Sequence, residues 1–234
     1  MTSGGNKMKV LVIPDVRLKP WMFDEADYLL RQYEFDTVVC LGDLVDDWDK
    51  QTNLDLYINT IDRAIQFKHD HPNSQFCYGD HEVAYLLDYI YDNNSEAHKI
   101  SIQNLLSKYI QAVEPRIAIK IDDVVFSHAG IEEHCYIACY NKSLICDNTV
   151  LKYMFDDDLS PLKLCPDPWI VYKKDFIQVV GHTMVKTIEH NKNVWFCDTF
   201  GTYRNNDVYG DQTFMVIDTI THKVTKYQHG VIIK

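Results

Sequence analysis

Acidic and imidazole side chains cluster in short blocks, and each block directly follows an apolar run. The blocks read GDLVDD from Gly42, GDHE from Gly79, SHAG from Ser127 and GHT from Gly181, and a further apolar run ends just before Asp15. Such runs are typical of buried strands, and in open α/β sheets ligands bind at the carboxyl ends of the strands. We therefore expect three carboxylates and three imidazoles to converge on one site, namely Asp15, Asp43, Asp80, His81, His128 and His182.

Asp43 is the predicted centre of this site. It follows Gly42, which lets the backbone turn where a side chain would crowd the neighbouring atoms. Mixed oxygen and nitrogen donors suit manganese, iron or zinc, and no cysteine stands at a predicted strand tip. Two divalent ions that share a carboxylate can activate water and hold a phosphoryl oxygen. The pattern therefore indicates metal-dependent chemistry at a phosphate.

The elements that would position these side chains are alternating strands and helices. A strand over residues 9–13, a helix over 20–33 and a strand over 36–42 form a predicted βαβ unit, which brings both strand ends to one edge. Further helices are predicted over 53–69, over 83–113 with a break at 92–95, and up to about residue 155. Further strands are predicted over 75–78, 117–121, 124–126, 176–180, 194–198, 213–218 and 223–228.

Composition narrows the class of protein. The formal net charge of −11 disfavours a nucleic-acid-binding surface, which would need a basic face. The seven cysteines are scattered and odd in number, and they lack zinc-finger spacing, so we expect reduced, mostly structural thiols. The first residues are polar, and no apolar run is long enough to cross a membrane. We expect a single domain over residues 1–234 in the cytoplasm.

The four blocks, in this order and spacing, resemble the calcineurin-like metallophosphoesterase superfamily. SHAG and GHT are similar to the phosphoprotein phosphatase branch, which includes bacteriophage-type protein phosphatases and symmetrical diadenosine tetraphosphatases. The segment FCDTFG at 196–201 also resembles that branch. The resemblance implies an α/β sandwich of two mixed β-sheets flanked by helices, with a helical insertion at about 83–113 and a variable region at about 132–168.

The same resemblance implies a role for each site residue. Asp43 would bridge two metal ions, and Asp15 would bind the first of them. The second ion would be completed by Asp80, His128 and His182. His81 would protonate the leaving oxygen while Asp46 orients its imidazole, because a general acid needs a fixed tautomer. Two divalent ions are expected, with manganese first and iron, zinc or nickel as alternatives.

Three blocks depart from the superfamily's pattern. Arg17 stands where a histidine ligand is normal, and a guanidinium offers no lone pair to a cation. Either Arg17 turns away and leaves a weak or empty first site, or its guanidinium sits between Asp15 and Asp43 in place of that ion. Asp47 and Trp48 replace the usual arginine and glycine, and Asp80 replaces an asparagine.

These departures weaken the predicted grip on phosphate. Arg17 and Arg204 are the arginines that we expect to face a phosphate, out of five in the chain. We predict a metal-dependent phosphoesterase that acts on a phosphoprotein, a nucleotide or a small phosphoester through a metal-activated hydroxide. The arginine that Asp47 replaces would grip the substrate phosphate, and we call it the clamp arginine. Its loss disfavours dianionic phosphomonoesters, which need that positive charge most. The alternative is a catalytically impaired relative that serves as a metal-binding, phospho-ligand-binding or regulatory module. The expected partner is a phosphorylated substrate, with neither nucleic acid nor membrane.

Overall fold

A computed structural model describes residues 8–89, 91, 94–133, 148–166, 170, 172 and 174–233. Its strands form two sheets. The six-stranded sheet has the order β11-β10-β9-β1-β2-β3, and the five-stranded sheet has the order β4-β5-β6-β8-β7. The strands of the first sheet are β1 (Lys9–Ile13), β2 (Thr37–Cys40), β3 (Gln75–Phe76), β9 (Phe214–Asp218), β10 (Val224–Gln228) and β11 (Val231–Ile233). Those of the second are β4 (Ala118–Ile121), β5 (Val124–Ser127), β6 (Ile177–Met184), β7 (Glu189–Asn191) and β8 (Val194–Asp198).

Both sheets are mixed. β1, β2 and β3 are parallel, whereas β9 pairs antiparallel with β1. In the second sheet β5, β6 and β8 are parallel, and antiparallel strands flank them. The parallel strands in each sheet point their carboxyl ends the same way, which is the arrangement that the sequence predicts for the site.

Alternate side chains of β1 explain how the layers stack. Val10 and Val12 are fully buried and pack with apolar residues of the second sheet, among them Phe126 and Val179. The intervening Leu11 packs on the other face, in a core shared with the helices. A strand buried on both faces reads as a continuous apolar run, as KVLVI does. The two sheets therefore form a sandwich with helices on the outside.

Five helices are described: α1 (Trp21–Gln32), α2 (Leu54–Asp70), α3 (Asp80–Leu86), α4 (Lys99–Val113) and α5 (Asn148–Asp156). The predicted helices at 20–33 and 53–69 agree with α1 and α2 to within one or two residues. In the part of the chain that the structure covers, no helix has the length and apolar character needed to cross a bilayer. The variable region at 132–168 contains α5, but its residues 134–147 and 167–168 lie outside the described ones.

The structure corrects several predicted boundaries. α3 begins at Asp80 and not at residue 83, because Glu82 caps its first turn and lets the helix start directly after Gly79. β6 continues to Met184 through a register shift against β8, so His182 lies inside a strand and not beyond its tip. β7 and β11 were not predicted, because both are three-residue edge strands with largely exposed side chains.

Candidate active site

The candidate site rests on backbone in an unusual conformation. Arg17, Asp43, Asp46 and His182 all have positive φ, at 42°, 47°, 62° and 58°. Residues other than glycine rarely adopt this left-handed region, and each instance costs of order 1–2 kcal/mol. Such strain persists only where the surroundings enforce it, and it concentrates at functional sites. Four of the predicted site residues therefore share a conformation that the fold must hold in place.

One buried carboxylate, that of Glu82, braces this backbone. It accepts hydrogen bonds from the backbone N–H groups of Gly79 (2.8 Å) and Asp43 (3.1 Å) through Oε2, and from Leu44 and Val45 through Oε1. Burial, followed by the charge of Asp43, raises the pKa of Glu82 to about 7, and the backbone donors oppose that shift. Glu82 thus ties the loop after β2 to the start of α3, which fixes Asp43 relative to Asp80.

Four donor atoms converge at the place predicted for the second metal ion. His128 Nε2 lies 3.2 Å from Asp80 Oδ1, 3.1 Å from His182 Nδ1 and 3.6 Å from Asp43 Oδ1, and His182 Nδ1 lies 3.7 Å from Asp80 Oδ1. Ligands about 2.1 Å from one ion stand roughly 3.0–3.5 Å apart. His128 Nδ1 donates to the carbonyl of Leu41 at 3.1 Å, which leaves Nε2 free to bind a cation. These residues fit one divalent ion.

The same cluster binds protons tightly while it holds no ion. Burial lowers the pKa of His128, but the charges of Asp43 and Asp15 outweigh it and raise that pKa to about 10. The pKa of His182 rises to about 9 against burial, chiefly through Asp80. Burial also raises the pKa of Asp43. A cation and protons would therefore compete for His128, His182 and Asp43, whereas the pKa of Asp80 is, in spite of its burial, lowered by His81 and by hydrogen bonds from His128 and His182.

The place predicted for the first metal ion holds a guanidinium. Arg17 Nη2 donates to Asp15 Oδ2 at 2.7 Å and lies 3.2 Å from Asp198 Oδ2, and Arg17 Nε lies 3.8 Å from Asp43 Oδ2. Of the two alternatives that the sequence left open for Arg17, this is the second, in which the side chain sits between Asp15 and Asp43. Asp15, predicted as a ligand of the first ion, accepts a hydrogen bond from the guanidinium. Donor atoms of Asp15, Asp43 and His128 lie within 4.8 Å of one another, but the permanent positive charge of Arg17 among them opposes a divalent ion.

Asp198 is a site residue that the sequence reasoning missed. It ends β8, is fully buried and forms an ion pair with Arg17. Burial, and then the charge of Asp15, raise its pKa to about 7 while Arg17 lowers it. The sequence contained a signal for it, because Asp198 ends an apolar strand just as Asp43 follows one. Asp198 lies inside the FCDTFG segment, which served only to support the family resemblance.

The predicted general acid and its orienting carboxylate lie in contact. His81 Nδ1 is 2.9 Å from Asp46 Oδ2, and Asn94 Nδ2 donates to the same oxygen at 2.5 Å. Asp46 Oδ1 accepts from the hydroxyls of Tyr57 (2.6 Å) and Tyr85 (2.9 Å). Because four donors surround this buried carboxylate, it is held in one orientation and fixes the tautomer of His81.

The electrostatics of His81 favour its protonated form. Burial lowers the pKa of His81, but Asp43, Asp80 and Asp46 together raise it to about 10. The His81 side chain is 16% exposed and lines the same pocket as the metal donors. An imidazolium held this way can give a proton to a group bound in the pocket.

One open pocket of about 580 Å³ is lined by Arg17, Asp43, Asp46, Asp80, His81 and His182, with the fully buried His128 behind this lining. Its lining combines charged residues with an aromatic and thioether wall made of Trp48, Tyr91 and Met184. Arg204, a predicted phosphate-binding residue, is exposed and stacks on Trp48 with its guanidinium carbon 4.7 Å from the ring centroid. It therefore stands beside the pocket wall and is not part of the lining.

Asp47, which replaces the clamp arginine, is neutralised by a neighbouring cation. It is buried, and its Oδ2 lies 3.1 Å from the Nζ of Lys19. Lys19 Nζ also donates to the carbonyl of Arg17 at 3.1 Å, and the Thr202 hydroxyl donates to Asp47 Oδ1. The position therefore offers no free positive charge to a phosphate.

Cys165 reaches the edge of the site. Its exposed Sγ lies 3.7 Å from His182 Nε2, and this contact lowers the pKa of the thiol. The sequence reasoning looked for cysteines only at strand tips, and Cys165 lies in the region around 132–168 that has no clear pattern. Because it meets Nε2 and not Nδ1, it stands outside the four-donor cluster.

Comparison with known proteins supports the fold. No family model and no curated protein match the chain. Among solved structures it is similar to a cold-active protein tyrosine phosphatase, with a TM-score of 0.63, 16% identity, and coverage of 97% of this chain and 78% of that one. It is also similar to the cold-active protein-tyrosine phosphatase of a psychrophilic Shewanella species, with a TM-score of 0.60, 16% identity, and coverage of 97% of this chain and 80% of that one. For a metallophosphoesterase from Sphaerobacter thermophilus the TM-score is 0.50 and the identity 15%, with coverage of 98% of this chain and 89% of that one.

These likenesses define the class of fold. The chain has the metallophosphoesterase fold, and the predicted sandwich of two mixed sheets flanked by helices is confirmed. The fold is shared with these solved phosphatases and this metallophosphoesterase, and the calcineurin-like superfamily that the four blocks indicated stays a prediction.

Proposed function

We propose that this chain hydrolyses a phosphate ester with one divalent ion bound by Asp43, Asp80, His128 and His182. The observation that carries the proposal is the shared pocket: Asp43, Asp80 and His182 line the same space as the His81–Asp46 pair, and His128 lies behind them within 3.6 Å of each of the three. A metal site alone would not need an oriented imidazole beside it. The solved phosphatases and the metallophosphoesterase with the same fold support the same class of reaction.

The chain's own residues supply positioning and proton transfer. A bound divalent ion supplies positive charge for the phosphoryl group and makes water a better nucleophile. His81 donates its Nε2 proton to the leaving oxygen, while Asp46 holds the Nδ1 side of the ring. Arg17 adds a fixed positive charge on the opposite side of Asp43. For the ion we propose manganese first, with iron, zinc or nickel as alternatives, because the donors are oxygens and imidazole nitrogens.

The substrate we propose carries a single negative charge at phosphorus, as a phosphodiester does. Asp47 is already paired with Lys19, so no clamp residue remains for a dianionic phosphomonoester. Asp80 adds a further negative charge beside the ion. The ring of Trp48 in the pocket wall offers a surface for a planar group on either side of the ester.

A second candidate function is a binding module without catalysis. The observation that favours it is the Arg17 guanidinium, which contacts Asp15 and Asp198 where a second ion would normally help the reaction. Such a module would still bind one metal ion and a phosphorylated ligand.

Hydrolysis by the manganese-loaded chain distinguishes the two functions. The assay uses p-nitrophenyl phosphate and bis(p-nitrophenyl) phosphate, with metal content measured on the same samples. We expect turnover, faster with the diester, that Asp43→Asn abolishes together with metal binding. The exposed Asp62 of α2 provides a matched control, and Asp62→Asn should leave both unchanged. Metal binding without turnover of either ester would support the binding module, and turnover that survives Asp43→Asn would contradict the proposed site.

A further inference from the structure

Three buried carboxylates surround the Arg17 guanidinium. Asp15 lies at 2.7 Å and Asp198 at 3.2 Å from Nη2, and Asp43 lies at 3.8 Å from Nε. They come from the ends of β1, β8 and β2, so three strands deliver negative charge to one point. Three carboxylates this close together in a buried site must be neutralised, either by protons or by a cation among them, and here the cation is the guanidinium.

The position of Arg17 is built into the backbone. Its N–H donates to the carbonyl of Asp43 at 2.6 Å, and the next N–H, that of Leu18, donates to the carbonyl of Leu44 at 3.0 Å. Nη2 also donates to the carbonyl of His182 at 3.3 Å. The side chain is only 17% exposed. Arg17 is therefore held from both ends, and its guanidinium is not a surface group that happens to point inward.

We propose that the Arg17 guanidinium permanently replaces the first metal ion of a two-metal site, so that this chain binds one divalent ion and not two. The proposal deepens the proposed function, since Arg17 faces the same pocket, but its core is a statement about metal stoichiometry. A second divalent ion between Asp15 and Asp43 would have to displace a cation that hydrogen bonds already hold, or share the space with it against strong repulsion. A guanidinium keeps its charge at every accessible pH, and a chelator cannot remove it because it is part of the chain.

Two polar atoms at this point form an ion pair without a hydrogen bond, because they lie 3.8 Å apart. Arg17 Nε and Asp43 Oδ2 are both buried, and neither has a hydrogen-bond partner among the described residues. Arg17 also lines the pocket. The fork of a guanidinium matches the geometry of phosphoryl oxygens, so the residue can fill the electrostatic part of the lost ion's role.

The test counts manganese ions per chain in the full-length protein by native mass spectrometry and elemental analysis after saturation with Mn²⁺. Electron paramagnetic resonance then reports whether the ions are isolated or exchange-coupled. The variant Arg17→His supplies an imidazole in place of the guanidinium, and Arg17→Lys is the matched control that keeps a positive charge. We expect one isolated ion in the wild-type chain and in Arg17→Lys, and two coupled ions in Arg17→His.

Each outcome decides the inference. Two ions in the wild-type chain or in Arg17→Lys would overturn it, and so would a single ion in an Arg17→His chain whose circular dichroism shows it folded. If Arg17→His does not fold, the counts for the other two proteins still decide. One ion in the wild-type chain, one in Arg17→Lys and two in Arg17→His, without hydrolysis of any ester, would support this inference while refuting the proposed function.

Discussion

Replacing Asp46 by asparagine tests the proposed proton donor directly. The Asp46 carboxylate accepts from Tyr57, Tyr85, Asn94 and His81, and an amide has only one oxygen to offer them. If that oxygen keeps the two tyrosines, the new NH₂ group faces His81 Nδ1. Since two donors cannot share a hydrogen bond, Nδ1 must become the acceptor, and the ring carries its proton on Nε2 as a neutral imidazole. A neutral imidazole is a poor acid.

The expected loss follows from what a positioned general acid contributes. Proton transfer of this kind accelerates reactions by about 10²–10⁴-fold. We therefore expect kcat of Asp46→Asn to fall by about 10²-fold or more with Mn²⁺ bound. The double variant with His81→Gln should be no slower than His81→Gln alone, because residues that act as a unit lose their effect together.

The assay compares the phenyl and p-nitrophenyl esters of whichever phosphate class the chain hydrolyses. Phenolate is the more basic leaving group and needs the proton more, so the loss should be larger for the phenyl ester. Nitrogen-15 NMR of His81 should show a ring protonated on both nitrogens in the wild-type chain, and loss of the Nδ1 proton with retention of the Nε2 proton in the variant. Urea unfolding of the variant checks that the fold survives. An equal loss for both esters, or a loss under about 10-fold in a folded variant, would refute the general-acid role.

Two further predictions concern stability. Glu82→Gln should lower the free energy of unfolding by about 3 kcal/mol or more, since its amide nitrogen would face backbone N–H groups that now donate to the buried carboxylate. Denaturant unfolding at pH 8 measures this change. A loss below about 1 kcal/mol would contradict the role of Glu82 in bracing the backbone. In the metal-free chain, stability should fall as the pH rises from about 6.5 to about 10, because His128 and His182 have folded-state pKa values raised to about 10 and about 9 and bind protons more tightly than in the unfolded chain. Thermal melts across this range should show the decline, and saturating Mn²⁺ should flatten it; a flat profile without metal would contradict the assignment.

Much of the metal cluster could be predicted because it depends on local patterns. Each apolar run marks a strand, and the parallel strands of each sheet bring their carboxyl ends to one edge. That reasoning placed His128 beside Asp80, although 48 residues separate them. It placed Asp46 beside His81 through the resemblance of the blocks. Neither placement required knowledge of side-chain packing.

The remainder of the site depends on contacts that no local pattern encodes. The orientation of Arg17 is set by Asp198, which lies at the end of a strand in the other sheet. The loop after β2 depends on Glu82, which reaches Leu44 from α3. In both cases the deciding partner is distant in sequence and belongs to another element, so periodicity and turn signals say nothing about it. The edge strands β7 and β11 were missed for a simpler reason, since a three-residue strand has too few positions to show alternation.

The departures from the superfamily's pattern act in one direction. Arg17 supplies one positive charge where a divalent ion would supply two, Asp47 replaces an arginine, and Asp80 replaces an asparagine. Each change makes the pocket less positive. Because Lys19 is paired with Asp47, its ammonium group is not available to bind a phosphate either. Binding a phosphoryl dianion becomes harder with every step, whereas the His81–Asp46 pair keeps its full set of hydrogen bonds. A site that had only lost its function would have no reason to retain an oriented acid, and this is why we propose a phosphoesterase whose substrate carries less charge and not one that has ceased to react.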